Sequence, residues 1–293
     1  MTRRAKRLRH ACSIGGLQGG GQPGATLMTR RWHSEIMTAI GDDDSASGRS
    51  GELFNDEYFD SYNYADRGRG RWSMYWFARR YYAALVRRYA PDAGGALLEL
   101  GSGLGDLLAL LQDDFRCVGI DLIDRGIERT HIHAPRAVAL RQDIEDLSGF
   151  ATDEFSVVVS LHVVEHLHDP LATIREVGRI LKPGGLFLFA TPNPQYRFRR
   201  FKNPATDAIG KDPTHINVHP PAVWREWVES SGFDVLHHFG DGLWDVPYLP
   251  VIPSAAQFAI LGVPALAQVL TRTTVVPLAS GVNQVCIARL HHP

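Results

Sequence analysis

Residues 96–107 read ALLELGSGLGDL, an apolar run closed by an acid, Glu99, and followed by glycines on alternate positions, Gly101, Gly103 and Gly105. Apolar residues in unbroken succession predict a strand buried on both faces, as in a parallel sheet. The glycines predict a tight turn whose backbone can approach a ligand closely. Residues 104–112 read as a helix, so the turn feeds a helix N-terminus with unpaired N–H groups. A dinucleotide fingerprint, GxGxxG, needs its third glycine at position 106, where Asp106 stands. The turn alone leaves open a nucleotide site, a cofactor site of another chemistry, and a turn with no ligand.

The next hundred residues narrow the choice. RCVGID at 116–121 predicts a second buried strand ending in an acid, Asp121, about 20 residues beyond the glycines, where α/β nucleoside sites hold ribose hydroxyls. AVALRQD at 137–143 predicts a third strand, FSVVVSL at 155–161 a fourth, and LFLFA at 186–190 a fifth. A helix over 171–181 stops at Lys182-Pro183-Gly184-Gly185. Strands alternating with helices predict a doubly wound α/β sheet, with its ligand beyond the strand C-termini, where these acids fall.

The pattern E-x-G-x-G-x-G at 99–105 resembles the first motif of class I S-adenosylmethionine-dependent methyltransferases. From Glu99 to Pro194 the order of features resembles the subgroup containing the ubiquinone and menaquinone biosynthesis enzymes. The motifs are ELGSGLG, GID, VVEHLHDP at 163–170 and LKPGG; DPTHINVHPPAVWREWVESSGFDV at 212–235 resembles that subgroup's TH…P…GF segment. The likeness covers roughly residues 53–235, with a last strand at 282–289. It implies a Rossmann-like, mostly parallel seven-stranded sheet with helices on both faces. It also implies S-adenosylmethionine as cofactor, whose ammonium and sulfonium suit a neighbouring acid where a pyrophosphate would need amides. The contacts it implies come from Glu99, Gly101, Ser102, Gly103 and Gly105, from Asp121 and Leu122, from Asp143 and Ile144, and from Leu161 and His162.

The donor's methyl group is already activated by the sulfonium, so the protein's task is to align an acceptor and take its proton. Histidine suits that task near neutral pH. His162, His166, His215 and His219 are the candidates, and His215 is preferred because it matches the TH of the resembling enzymes. Tyr62, Tyr64 and Asn193 are further acceptor-side candidates, and Arg67, Arg69 and Arg71 are candidates for the methionine carboxylate. His162 and His166 stand at i,i+4, but with no cysteine nearby and no HExxH pattern no metal is expected. TPNP at 191–194 follows the fifth strand, so it is not the NPPY-type motif of amino methyltransferases, and an oxygen acceptor in a sugar, lipid-linked molecule or secondary metabolite is expected. A noncatalytic nucleotide- or S-adenosylmethionine-binding module stands as the alternative.

Seven basic residues and no acid occupy residues 1–34, leaving 24 basic against 32 acidic side chains over 35–293, a net charge of −8. An acidic body is a poor match for nucleic-acid phosphates. Three cysteines, Cys12, Cys117 and Cys286, point to reduced thiols and a cytoplasmic location. Residues 1–50, rich in Arg, Gly and Ser, read as a disordered tail ahead of a catalytic domain at 51–293. Eleven aromatics lie between Phe54 and Tyr82, and residues 71–89 read as a helix packed on the sheet.

Two substrate-side insertions are expected, 195–214 and 243–281. The first alternates Tyr196, Phe198 and Phe201 with Arg197, Arg199, Arg200 and Lys202. The second holds no charged residue from Val246 to Thr271 and reads as an apolar helix over 254–270. That helix is expected to be a lid admitting an apolar or lipid-linked acceptor, a peripheral membrane contact, core packing, or a contact in a homodimer; a monomer is equally consistent.

Overall fold

A computed structural model describes residues 70–291. The expected tail at 1–50, Cys12, Tyr62, Tyr64, Arg67 and Arg69 lie outside them. The first helix, α1, runs Met74–Tyr89 and not from Arg71, because Trp72 is left-handed (φ 75°) and Ser73 caps the helix by accepting from the Trp76 N–H.

Strand β1 is Ala96–Leu100, buried at every position. Helix α2, Asp106–Leu111, starts two residues later than the sequence pattern predicts, since Gly105 in the left-handed region is its N-cap. Strand β2 (Arg116–Asp121), helix α3 (Asp124–His133) and strand β3 (Val138–Arg141) follow. Strand β3 stops short of Asp143, which turns the chain by accepting the Glu145 N–H on its side chain. Strand β4, Phe155–Leu161, is also buried throughout.

Helix α4, Pro170–Ile180, has Asp169 as N-cap, accepting from Ala172, and a proline in its first turn. Strand β5 spans Leu181–Pro192, longer than expected. The Lys-Pro-Gly-Gly turn is absorbed as an irregularity: Leu181 pairs with Phe155 before the register shifts, and regular pairing resumes at Leu186. After the one-turn helix α5 (Ala208–Lys211) come α6 (Pro221–Ser230) and β6 (Phe233–Gly240).

The apolar stretch forms two helices, α7 (Ser254–Leu261) and α8 (Val263–Thr271), and not the single expected one. They bend by 48° at Gly262. Pro264 has no N–H to return to the preceding turn, and its ring crowds the carbonyl four residues back, which breaks the helix there. Neither helix is long and apolar enough to cross a membrane alone. Strand β7, Asn283–Leu290, completes the order β3-β2-β1-β4-β5-β7-β6.

The first five strands pair in parallel, and β7 lies antiparallel between β5 and β6. Strand β1 pairs with β2 on one side and β4 on the other, so the strand order reverses there and the sheet opens a crevice beyond the C-termini of β1 and β4. The main core joins the sheet to α1 and α2 through Leu85, Val86, Leu107 and Leu111 against Leu97, Val157 and Leu188. A second cluster of Tyr196, Ile209, Leu243, Tyr248 and Val282 holds the two insertions together.

Candidate functional site

The crevice at the strand reversal contains a pocket open to solvent on one side, the concave form that small-molecule sites take. Its wall is the turn after β1. Gly101, Gly103 and Gly105 have φ of 71°, 53° and 72°, a region L-residues rarely adopt. A Cβ on Gly101 would collide with the Val163 side chain, and one on Gly105 would lie 2.8–2.9 Å from Thr130.

Asp121, at the end of β2, closes that turn. Its carboxylate accepts from the Gly103 N–H at 2.8 Å and from Ile123 at 3.0 Å. Burial raises its pKa above the usual carboxylate range, opposed by the backbone bonds from Ile123, Gly103 and Leu122. Glu99 sits behind the turn, 2% exposed, with Oε2 lacking a partner among the described residues. Burial lifts its carboxyl to about 8, against the pull of Arg79 and helped by the charge of Asp121.

Of the residues expected at the cofactor, Gly101, Ser102, Gly103, Asp121, Leu122, Asp143, Ile144, Leu161 and His162 line the pocket. Glu99 and Gly105 do not: one lies beneath the wall and the other caps α2. Sequence reasoning missed Tyr75 and Arg79, which also line it. The Arg79 guanidinium lies 4.7 Å from the Tyr75 ring centre, and Tyr75 donates to Asp106 at 3.0 Å. Their i,i+4 spacing on α1 was the available signal, hidden inside an aromatic run that reads as core. Arg79 stands in the wall where Arg67, Arg69 and Arg71 had been the candidates.

The histidines divide. His162, just after β4, is left-handed (φ 59°), a strained state for a residue with a Cβ. Its side chain is 40% exposed and lines the pocket, with Nδ1 3.7 Å from Glu165 Oε1, beyond hydrogen-bond length but close enough for charge to act. Glu165 is fully buried, and neither of its oxygens has a hydrogen-bond partner among the described residues. Burial raises its pKa, but His162 and His166 outweigh that and hold the carboxyl below its usual value. His166 also lines the pocket; its Nδ1 meets the Thr214 carbonyl at 3.0 Å, and burial lowers its pKa.

His215, the preferred base, is not in the lining. Its Nδ1 is bonded to the Ile209 carbonyl at 2.9 Å, and its ring lies 4.9 Å from that of His166. His219 bonds to Asn217. Asn193 is buried with its amide donating to the Leu278 and Gly281 carbonyls and its oxygen accepting from Gln195, so it ties the end of β5 to the segment before β7 and lies outside the pocket lining. The fold also gathers Glu165, His166 and His215, whose donor atoms lie within 4.8 Å of one another. Two imidazoles and a carboxylate are a donor set that divalent transition metals accept, one the HExxH criterion does not detect because His215 arrives from 49 residues downstream.

No residue of 195–214 or 243–281 lines the pocket, so the expected lid is not over it. The second insertion begins beside it, since the charge of His162 acts on Asp241, whose carboxyl burial raises to about 6 against bonds from Asn283 and Trp244.

The methyltransferase-domain family matches residues 75–238, more than half of the chain and all of the pocket wall. The chain belongs to this family. It carries the class I methyltransferase fold and motif, and the methyl donor of that family is S-adenosylmethionine. A probable S-adenosylmethionine-dependent methyltransferase of Mycolicibacterium smegmatis is 32% identical over 162 residues, 55% of this chain and 60% of the relative. A ubiquinone biosynthesis O-methyltransferase of Cereibacter sphaeroides is 34% identical over 108 residues, 35% of this chain and 43% of the relative. The methyltransferase chain thus spans 60% or less of the length of these two relatives. One chain of the complex between the Haloferax volcanii Trm112 methyltransferase activator and a methyltransferase shares the fold, with a TM-score of 0.55 at 22% identity over 81% of this chain and 97% of that one.

Proposed function

We propose that this protein transfers a methyl group from S-adenosylmethionine to a hydroxyl oxygen of a small acceptor, apolar or lipid-linked. The observation that carries the reading is the left-handed glycine turn at 101–105 closed by Asp121 where the sheet reverses its strand order. The similarity to ubiquinone biosynthesis O-methyltransferases supports oxygen as the acceptor atom.

The lining fits the donor. Asp121 keeps lone pairs for ribose hydroxyls after its backbone bonds, and the bare glycines leave room that side chains would fill. Glu99 lies buried behind the turn with its Oε2 unpartnered among the described residues, and burial keeps its carboxyl protonated up to about pH 8. When bound, S-adenosylmethionine supplies a methyl group activated by its sulfonium. Asp143 and Ile144, also in the lining, would hold the adenine ring, and Arg79 would offer a guanidinium to the methionine carboxylate.

His162 is the general base in this reading, in place of His215. It combines exposure to the pocket, a backbone state retained at a cost of about 1–3 kcal/mol, and the Glu165 carboxylate 3.7 Å away. His162 takes the acceptor's hydroxyl proton, and Glu165, held ionised by its histidine neighbours, offsets the imidazolium charge that forms.

Titration calorimetry with S-adenosylmethionine, S-adenosylhomocysteine and NAD tests the cofactor, and S-adenosylhomocysteine release across a panel of phenols, sugars and isoprenoid alcohols tests the reaction. Heat with the first two ligands only, and release with a hydroxyl acceptor, is the expected result. A folded protein that takes up neither sulfur nucleoside at millimolar concentration overturns the assignment, and binding without release from any acceptor favours a noncatalytic module.

A further inference from the structure

The helix pair α7–α8 is built inside out. Its two polar side chains away from the ends, Gln257 and Gln268, are buried, while Ile260 (71% exposed), Val263 (54%) and Leu270 (60%) face outward. On α8 the exposed Val263, Leu266, Ala267 and Leu270 share one stripe by the 100° step of a helix, and buried Ala265 and Gln268 lie opposite. The preceding loop and following turn extend the surface with Val251 (89%) and Val275 (70%).

Both glutamines serve the interior. Gln257 accepts from the Tyr248 and Leu249 N–H groups and donates to the Leu249 and Ile252 carbonyls. Gln268 donates to the Gly240 carbonyl at 2.9 Å and accepts from Val276 at 2.8 Å. These bonds fix which way each helix faces, so the apolar stripe is held outward and has no freedom to roll in. Contiguous exposed apolar surface of this kind marks an interaction site.

We propose that this face docks on an anionic lipid surface. Between its ends the outer stripe offers Ala, Val, Ile, Leu and Pro and no side-chain hydrogen-bonding group, whereas a protein interface of ordinary size carries about ten hydrogen bonds. The acyl margin of a bilayer asks for none. Charge agrees: no Asp or Glu occurs anywhere from Val246 to Pro293, although the body upstream is acidic. Cations stand where the pair ends: Arg272 follows α8, and Arg88 donates to its carbonyl. Eight- and nine-residue helices total about 25 Å at 1.5 Å per residue, and the 48° bend shortens their reach further. They therefore lie in the interface and do not span the ~30 Å hydrocarbon core. This docking goes beyond methyl transfer and stands or falls independently of it.

Sedimentation of the full chain with phosphatidylcholine vesicles, with and without phosphatidylglycerol, tests the proposal. Wild type should pellet with the anionic vesicles and be released by high salt. The triple variant Ile260→Ser, Leu266→Ser, Leu270→Ser should partition at least about tenfold less, with its melting temperature and S-adenosylmethionine calorimetry unchanged, because none of these residues touches the pocket. Ile260→Trp should bind more tightly than wild type and show a blue-shifted indole spectrum on vesicles. The proposal is overturned if wild type stays in the supernatant, if the triple variant pellets as wild type does, or if wild type is a dimer that the triple variant dissociates, which would make the face a contact between copies.

Discussion

Two side chains beside the glycine turn and the end of β4 lend themselves to test at the residue scale, one behind the pocket wall and one in it. Glu99 has an unfolded value of 4.5 and a folded one of about 8, so the native state holds a proton the unfolded chain has given up. Its favourable contribution is complete below pH 4.5 and is lost as pH rises through 8, on the order of 1 kcal/mol per pH unit between. Glu99→Gln, which keeps the shape without the charge, should gain on wild type in melting temperature as pH rises from 5 to 8; equal slopes would place the carboxyl in water. His162→Ala should lower turnover about 100-fold or more while calorimetry finds S-adenosylmethionine affinity nearly unchanged, and His215→Ala should cost far less turnover. A reversed ranking would return the role to His215. The sequence brought both histidines into view and ranked His215 first by its match to the TH segment, because exposure to a pocket and a left-handed backbone, which favour His162, are properties of folded coordinates.

Elements explain which parts of the pattern were readable. Strands β1 and β4, buried on both faces, stand as unbroken apolar runs in the sequence, and the glycine turn needs its glycines for local reasons. Gly101→Ala should cost about 1–2 kcal/mol from the left-handed backbone alone, more from the collision with Val163, and should abolish nucleoside binding; a variant that melts and binds like wild type would refute the close fit. The apolar stretch was misread as one helix, and its reading as a lid, a membrane contact, core packing or a dimer contact stayed open, because composition fixes neither a break nor an orientation. Pro264 supplies the break, and Gln257 and Gln268 supply the orientation. Gln268→Leu is accordingly expected to destabilise by about 2 kcal/mol, since it strands a buried carbonyl and a buried N–H, while Leu270→Ser stays within about 0.5 kcal/mol. Urea unfolding of the two variants checks the inversion, which a hydrophobicity pattern alone predicts the other way round.

At the scale of the whole molecule, α1, the glycine turn, the ends of β2 and β4 and the turn after β3 enclose one pocket, so a ligand bridging them should stabilise the fold as a unit. S-adenosylhomocysteine at a hundred times its dissociation constant should add about 2.7 kcal/mol and raise the melting temperature by about 5–10 °C for a domain of this size; NAD should leave it unchanged. Sheet class, strand succession, the glycine turn and its attendant acids were determined by the sequence itself, because alternation, burial period and left-handed turns are imposed within a few residues of chain. Tertiary structure alone decided that Arg79 joins the pocket wall, that Asn193 serves as a tie, that Glu165, His166 and His215 converge, and that the apolar helices turn their stripe outward. Each of those depends on residues tens of positions apart meeting in space, and no local period encodes such a meeting.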